Sequence, residues 1–133
     1  MAKESGLGWT TFDVDDEAGA AQDIRGATNS LDFSCTRNTQ DVTGLAVSAI
    51  ERLHLLADFS VTPSFTFDDD TADSPHDVFK DLSNVRTTSI VVSGQTLNNE
   101  CLFTSYDYTR AQDGSLTGSA AGVLANGVVP TWS

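Results

Sequence analysis

Residues 59 to 67 read Phe-Ser-Val-Thr-Pro-Ser-Phe-Thr-Phe, and they constrain the fold more than any other stretch. Phe59, Val61, Pro63, Phe65 and Phe67 alternate without a slip against Ser60, Thr62, Ser64 and Thr66. A period of two sends successive side chains to opposite faces of a β-strand. One face joins a core and the other stays polar. Composition points the same way: Gly, Ser, Thr, Asp and Asn are frequent beside seven Phe, two Tyr and two Trp, as in short strands joined by many turns.

The 133 residues make one domain, long enough to bury a core without metals or disulfides. Only 20% of residues are charged, which argues against wholesale disorder. The balance is lopsided, with 19 acids against 7 bases and a net charge of −12. A chain that grips DNA or RNA phosphates needs Lys and Arg to displace counterions, so that class is excluded, as are anionic membranes. What remains is a solvated acidic surface or a surface that repels polyanions. Cys35 and Cys101 both fall in apolar or alternating segments, which predicts two small buried thiols and no disulfide framework. Met1-Ala-Lys-Glu-Ser5 has no apolar signal region, and no stretch reaches the ~20 apolar residues that span a bilayer. These features predict folding in a reducing cytoplasm.

Along the chain, Trp9–Val14 reads as a first strand, Asp15–Gly19 as a turn and Gly26–Ser30 as a loop. Leu31, Phe33 and Cys35 alternate with polar residues in a second strand. Ala49–Ala57 is ambiguous: Ile50, Leu53 and Leu56 fit one side of a helix, and the same run fits a strand with one irregular residue. Asp68–Asp73 is an acidic loop. Ser74 as cap, Pro75 at the first helical position and Asp77 as a capping-box acid then predict a short helix to about residue 83. Val85–Ser93 and Cys101–Arg110 are strands, with turns at Gly94 and Asn98-Asn99. Asp113-Gly114 signals a hairpin, and Asn126-Gly127 a last turn before Val128–Ser133.

No catalytic constellation stands out. His54 lies in an apolar run, as a packed or interfacial residue. His76 opens the short helix beside Asp73 and Asp77. Asp68–Asp73 lacks the alternating ligands, central Gly and distal Glu of an EF-hand and reads as a solvated loop. No glycine-rich phosphate loop precedes a helix, and no Cys/His zinc spacing occurs. The chain is therefore expected to have no catalytic, cofactor or metal site, and not to be an enzyme.

Several segments in order go beyond generic β patterning: Asp41-Val-Thr-Gly-Leu45, Ser48-Ala-Ile-Glu-Arg-Leu53, Leu56-Ala-Asp-Phe-Ser-Val61, Ser74-Pro-His-Asp-Val-Phe-Lys80, Val92-Ser-Gly-Gln-Thr-Leu97 and Gly122–Ser133. Across almost the whole chain this order resembles the major tail proteins, or tail tube proteins, of long-tailed bacteriophages, in particular those of actinobacterial phages. The resemblance implies a mainly β, sandwich or barrel-like fold spanning residues 1–133, with one flanking helix at about 74–83. It makes Ala49–Phe67 strand. It departs from the family's pattern at Pro63, which lacks a ladder N–H and predicts a bulge or an edge there.

The same resemblance implies a structural virion protein. Its copies would form hexameric rings whose inner sheets line a channel, stacked through extended loops and terminal arms into a tube that conducts DNA without binding it specifically. Partners would be further copies and other tail proteins, namely tape measure, terminator and baseplate or tip, with assembly in the host cytoplasm and no membrane. Glu51, Arg52 and Asp58 in the family-like block, and Trp132 in the ending, are the interface candidates. Arg52 suits an interfacial carboxylate pair, and equally a local surface pair of ~0–1 kcal/mol. The alternatives are a terminator or connector ring protein and a free-standing Ig-like or carbohydrate-binding module. Alternating, core-like aromatics disfavour the module. Only Lys3 and Lys80 are lysines, so strand edges have few of the usual blockers and self-assembly by edge pairing is expected.

Overall fold

The computed structural model describes residue 3 and residues 5–133. The expectation placed on the N-terminal arm falls partly on residues 1, 2 and 4, outside the described residues.

Seven strands form one antiparallel sheet: β1 (Trp9–Asp15), β2 (Ala21–Asp23), β3 (Thr28–Asp41), β4 (Arg52–Thr66), β5 (Arg86–Val92), β6 (Gln95–Arg110) and β7 (Leu116–Leu124). Their order is β2-β1-β5-β6-β7-β4-β3. Long β6 organises the sheet. Its first half, Gln95–Cys101, pairs with β5, and its second half, Cys101–Arg110, pairs with β7, with an irregularity between Phe103 and Ser105. The sheet thereby has two wings, β2-β1-β5 with early β6 and late β6-β7-β4-β3. Phe12, Val14 and Ile90 from one wing share a single buried cluster with Phe59, Val61, Phe65 and Phe103 from the other. The sheet therefore wraps around one core, as expected of a sandwich or barrel-like β fold.

The alternation is realised in β4 from Phe59 to Phe65; Phe67, expected on the same face, lies beyond the end of β4 and is exposed. Phe59, Val61, Pro63 and Phe65 are buried, while Ser60, Thr62 and Thr66 are exposed. Pro63 corrects the expectation of a bulge or edge. Its strand lies between β3 and β7, Pro63 faces Leu31, and the β4–β7 register is the same before and after it. The missing N–H is accommodated by a gap instead: the β7 ladder resumes at Ser64 after Val61. Opposite these large side chains β7 presents Gly118, Ala120 and Gly122. A Cβ on Gly118 would lie 2.6 Å from the Tyr108 ring, and one on Gly122 2.8 Å from Phe103. Aromatic rings occupy the space that side chains on β7 would fill. Phe65 is the hub, with ring centroids 5.7 Å from Phe79, 5.9 Å from Tyr106 and 5.8 Å from Tyr108.

Helix α1 (Pro75–Phe79) is shorter than the predicted 74–83. Its start is as expected, with Ser74 Oγ accepting from Asp77 N at 3.2 Å and Pro75 in the first turn. The Asp77 carboxylate pairs with Lys80 at 3.6 Å. The early stop has a visible cause in Arg86. Its guanidinium is buried and donates to the carbonyl oxygens of Val78 (2.6 Å), Asp15 (3.0 Å), Ser83 (3.0 Å) and Asp81. A helix continuing past Lys80 would use the carbonyls of Val78 and Asp81 for its own ladder. One cation thus ties the end of α1 to the end of β1 and the start of β5.

Other expectations need correction. Gly26–Ser30 is not a free loop: a 3-10 turn covers Arg25–Ala27, and β3 starts at Thr28. Asn98-Asn99 lies inside β6, and the tight turn is Ser93-Gly94, both at positive φ (51° and 80°), which suits a two-residue hairpin. Cys101 is buried, and its burial pushes the thiol up to about 11. Cys35 is exposed, because β3 there is already leaving the body. His54 is exposed for the same reason. Val128–Ser133 forms no strand, only a bridge from Trp132 to Leu97. Of the ambiguous residues 49–57, 52–57 are strand; 49–51 lie in the arm's tip and Phe67 lies beyond β4, so the expected strand over Ala49–Phe67 is shorter at both ends.

Candidate functional site: a polar sheet face and an apolar arm

The outer face of the β3–β4–β7–late β6 wing follows from register. Ser34, Ser60, Val123 and Leu102 form one cross-strand row, Ser64, Ser119 and Asp107 a second, and Thr66, Thr117 and Thr109 a third. Asp32 opposite Thr62 and Thr36 opposite Asp58 extend the face. The face is therefore hydroxyl-rich, with carboxylates at Asp32, Asp58 and Asp107 and no Lys or Arg in these rows. Arg37 falls in the alternate set with Phe33 and Cys35, and its Nε donates to the Leu55 carbonyl at 3.2 Å. The apolar breaks are Leu102 beside Val123 and the small side chain of Ala121.

The second feature is a projecting hairpin. β7 pairs with β4 only from Ser60 onward, while β3 and β4 stay paired out to Asp41 and Arg52. Residues 34–56 are all exposed. The tip is closed by polar bonds: Val42 N to Glu51 O (3.0 Å), Thr43 N to Asp41 Oδ1 (2.9 Å) and Glu51 N to Thr43 Oγ1 (2.8 Å). Its tip and the β4 strand also expose aliphatic side chains. Leu45 is fully exposed, Leu56 is 84% exposed and Ile50 61%. A two-stranded ribbon gains little from its own contacts, and clustered exposed aliphatics mark an interaction site.

The interface candidates fall in three places. Glu51 and Arg52 lie at the base of the arm's tip, with Arg52 facing Asp41. Asp58 lies on the polar face, its Oδ1 accepting from Phe59 N at 2.8 Å. Trp132 lies in the C-terminal segment, which is pinned to β6 by paired bonds between Thr96 and Ser133 (2.8 and 2.9 Å). Its ring sits 6.0 Å from Phe33. Glu51 and Arg52 are thus brought together, Asp58 is further along the same strand, and Trp132 is elsewhere. Among the described residues Lys80–Asp77 is the ion pair within 4.0 Å, and Arg52 makes none with them. Beside Trp132, a cavity of about 230 Å³ lined by Trp9, Leu31, Phe33, Ile90 and Val92 opens between β1, β3 and β5.

Arg86 is the residue that sequence reasoning missed; its signal is a lone cation opening a Val/Ile/Thr strand. His76 is on α1, where its Nδ1 lies 3.0 Å from Tyr106 Oη, and Tyr106 donates to Tyr108 at 3.0 Å. Burial first, then the hydrogen bond to Tyr108, pushes the Tyr106 hydroxyl pKa far upward. Among the described residues no group of three His, Cys, Asp or Glu converges to hold a metal, and no helix is long and apolar enough to cross a membrane.

No family model matches the chain, and no curated protein matches it. Solved structures do. A chain of the tail of an empty gene transfer agent particle, refined with C6 symmetry, superposes with a TM-score of 0.74 at 19% identity, with 98% of each chain covered. A chain of the virion of a native gene transfer agent particle gives a TM-score of 0.72 at 19% identity, covering 97% of this chain and 99% of that one. The fold, end to end, is shared with those particle chains.

Proposed function

We propose that this chain is a structural subunit of a virion tail: a tail tube protein that closes into hexameric rings, stacked around a lumen through which DNA passes, with no catalytic role. The observation that carries the reading is the outer face of the β3–β4–β7–β6 wing, a broad surface of Ser and Thr with carboxylates and no cations in its rows. Lining a lumen, such a face repels phosphate over a Debye length of ~8–10 Å at physiological salt, and rotational symmetry repeats every carboxylate around the wall. The fold shared with a chain of a C6-symmetric tail supports the ring, and the sequence resemblance to tail tube proteins supports the tube.

On this reading the apolar arm reaches a neighbouring copy in the stack, where Leu45, Ile50 and Leu56 leave water. Glu51, Arg52, Asp58 and Trp132 then belong to contacts between copies, with Arg52 free to meet a carboxylate of another subunit. Tape measure, terminator and tip proteins are the other partners, and assembly takes place in the host cytoplasm.

Negative-stain imaging of the purified protein, alone and with its tail partners, is the test. Hollow sixfold rings stacked into tubes are expected, with DNA affinity no stronger than that of an inert acidic protein. A strict monomer at high concentration under both conditions sinks the proposal, and so does tight, salt-sensitive DNA binding by the tubes. Single rings that never stack would indicate a terminator or connector instead.

A further inference from the structure

We propose that Asn126 is a site of self-modification: its carboxamide cyclises onto the Gly127 backbone nitrogen, and the chain then carries aspartate or isoaspartate at position 126. The reaction belongs to the single subunit and stands or falls independently of the ring reading.

Asn126-Gly127 is the only Asn-Gly pair in the chain, and the fold leaves it open. Both residues are exposed, in a stretch slung between two anchors. Ala125 N donates to Glu100 O at 2.9 Å on one side, and Thr96 and Ser133 exchange bonds of 2.8 and 2.9 Å on the other. Between these anchors residues 126–131 belong to no strand, and among the described residues the Gly127 N–H has no backbone acceptor. Gly127 sits at φ 75°, and no atom lies within 4 Å of where its Cβ would be. Its nitrogen is thus free of any ladder and of a flanking side chain. The remaining asparagines lack one condition or both. Asn29, Asn38, Asn98 and Asn99 lie in β3 and β6, and Asn84 precedes branched Val85.

The carboxamide is held for the reaction as well. Asn126 Oδ1 accepts from Val128 N at 3.1 Å, which folds the side chain back over the Gly127 peptide. That donor polarises the carboxamide carbonyl and stabilises negative charge on Oδ1 as Cγ becomes tetrahedral. Gly127 N gives its proton to hydroxide or a buffer base and attacks Cγ. The N–Cγ bond forms, the Cγ–Nδ2 bond breaks, and the leaving nitrogen takes a proton from water and departs as ammonia. One water then opens the five-membered imide. Opening at Cγ leaves aspartate; opening at the main-chain carbonyl leaves isoaspartate, with the backbone running through the β-carbon. No atom is oxidised or reduced. A pocket of about 130 Å³ lined by Asn98, Asn99, Glu100, Asn126 and Val128 admits the water. The extra methylene of isoaspartate falls in the slack between the two anchors, so both anchors hold. The new carboxylate joins Glu100 on the lining of that pocket and makes the chain one charge more negative than −12.

The unaltered full chain, aged at physiological temperature in mildly alkaline buffer, tests the site. Its intact mass should rise by one dalton and an extra acidic band should appear on isoelectric focusing, level with the Asn126→Asp variant. Peptide mapping should place the change at residue 126, and enzymatic methylation should detect the free carboxylate of isoaspartate. The rate should climb with pH, because the attacking nitrogen must lose its proton. Asn126→Gln, which would have to close a six-membered ring, should lose the acidic band. The aged protein should unfold at the urea midpoint of fresh protein. A free peptide of residues 124–129 is the reference. If the peptide converts while residue 126 of the folded chain stays an amide, the fold protects the site and the proposal fails. Conversion at another asparagine with Asn126 intact overturns it equally. A lowered urea midpoint in the converted protein overturns the claim that the anchors absorb the longer backbone.

Discussion

The body and the arm are built from one continuous pair of strands, yet they obey opposite rules. In the body, β4 buries Phe59, Val61 and Phe65 and exposes Ser60, Thr62 and Thr66. In the arm the same strand exposes Leu53, Leu55 and Leu56. The body's apolar set is satisfied within the subunit, and its outward set is chosen to remain wet. The arm's apolar set is only partly covered within the subunit, where Leu55 and Leu56 border Leu124, Val128 and Val129, and Leu45 is left bare. On the proposed tail-tube reading, solvent exposure in one copy has two meanings: for the Ser/Thr face it is the final state, and for the arm it is a state that assembly removes. Substitutions in the arm should change association and leave stability alone, and substitutions in the body should do the reverse.

The largest expected effect tests that division directly. Replacing Leu45 and Ile50 together by Asp should abolish tubes in negative stain. The subunit's own unfolding free energy should stay within about 0.5 kcal/mol of the parent, as for surface changes that touch no core contact. Sedimentation velocity and urea unfolding read the two halves separately. Tubes of normal length from the double variant would break the comparison, and so would a subunit that unfolds.

Arg86→Met should act in the opposite sense. It removes the cation that satisfies the carbonyls of Val78, Asp15, Ser83 and Asp81 in a buried setting. Removing the donor leaves buried carbonyl oxygens unsatisfied, which costs about 1–3 kcal/mol for each that water does not reach. The urea midpoint should fall accordingly, at a subunit concentration where wild type is unassembled. An unchanged midpoint would mean that α1 is held by Phe79 packing alone.

How much of this was readable beforehand depends on whether local signals or distant partners set each feature. The alternation at Phe59–Phe65, the Ser74-Pro75 helix start and the Asp113-Gly114 hairpin are local, and all are present. Residues 49–57 looked helical for a physical reason. Arg37 faces Ala57 but Thr39 faces His54, so β4 carries an extra residue there, which breaks the period of two and leaves Leu53, Leu55 and Leu56 irregularly spaced. The arm's length was hidden because beyond Cys35 β3 is polar on both faces, so no pattern marks a strand. Arg86 and β7's glycines take their meaning from Val78, Asp15, Tyr108 and Phe103, far away in sequence. Of the interface candidates, sequence grouped Glu51, Arg52 and Asp58 on one strand; no sequence signal showed that Trp132 would pack beside Phe33.

A smaller effect sharpens the body side. Gly118 lies beneath Tyr108 and faces Phe65 across the β4–β7 ladder. Gly118→Ala places a methyl group 2.6 Å from both the ring and the Asp107 carbonyl oxygen, and one of them must move. Overpacking of this kind costs about 1–3 kcal/mol. Gly44, in the arm's tip, has open space where a Cβ would go. The Gly44→Ala variant should unfold at the parent midpoint. Equal losses at the two glycines would mean that the arm is as tightly built as the body.

The smallest effect runs toward greater stability and concerns charge rather than packing. Asp13 on β1 faces Asp23 on β2 directly, and Asp73 joins them by accepting from Asp23 N at 3.1 Å. Partial burial first, then repulsion from Asp23, Asp73 and Asp15, raises the Asp13 pKa above its ordinary 3.8. A raised carboxyl binds its proton more tightly folded than unfolded, so stability is fully present below 3.8 and is lost as pH rises through the folded value. At pH 7 the charged residue carries that penalty, which for a half-buried group at the sheet surface is ~1 kcal/mol or less after solvent screening. Asp13→Asn should therefore raise the urea midpoint slightly at pH 7, and the gain should vanish below pH 3.8, where Asp13 is protonated in both states. A gain that persists at low pH would place its origin in packing or hydrogen bonding of the amide. A loss at pH 7 would mean that the Asp13 carboxylate is held by a favourable contact that outweighs its three acidic neighbours.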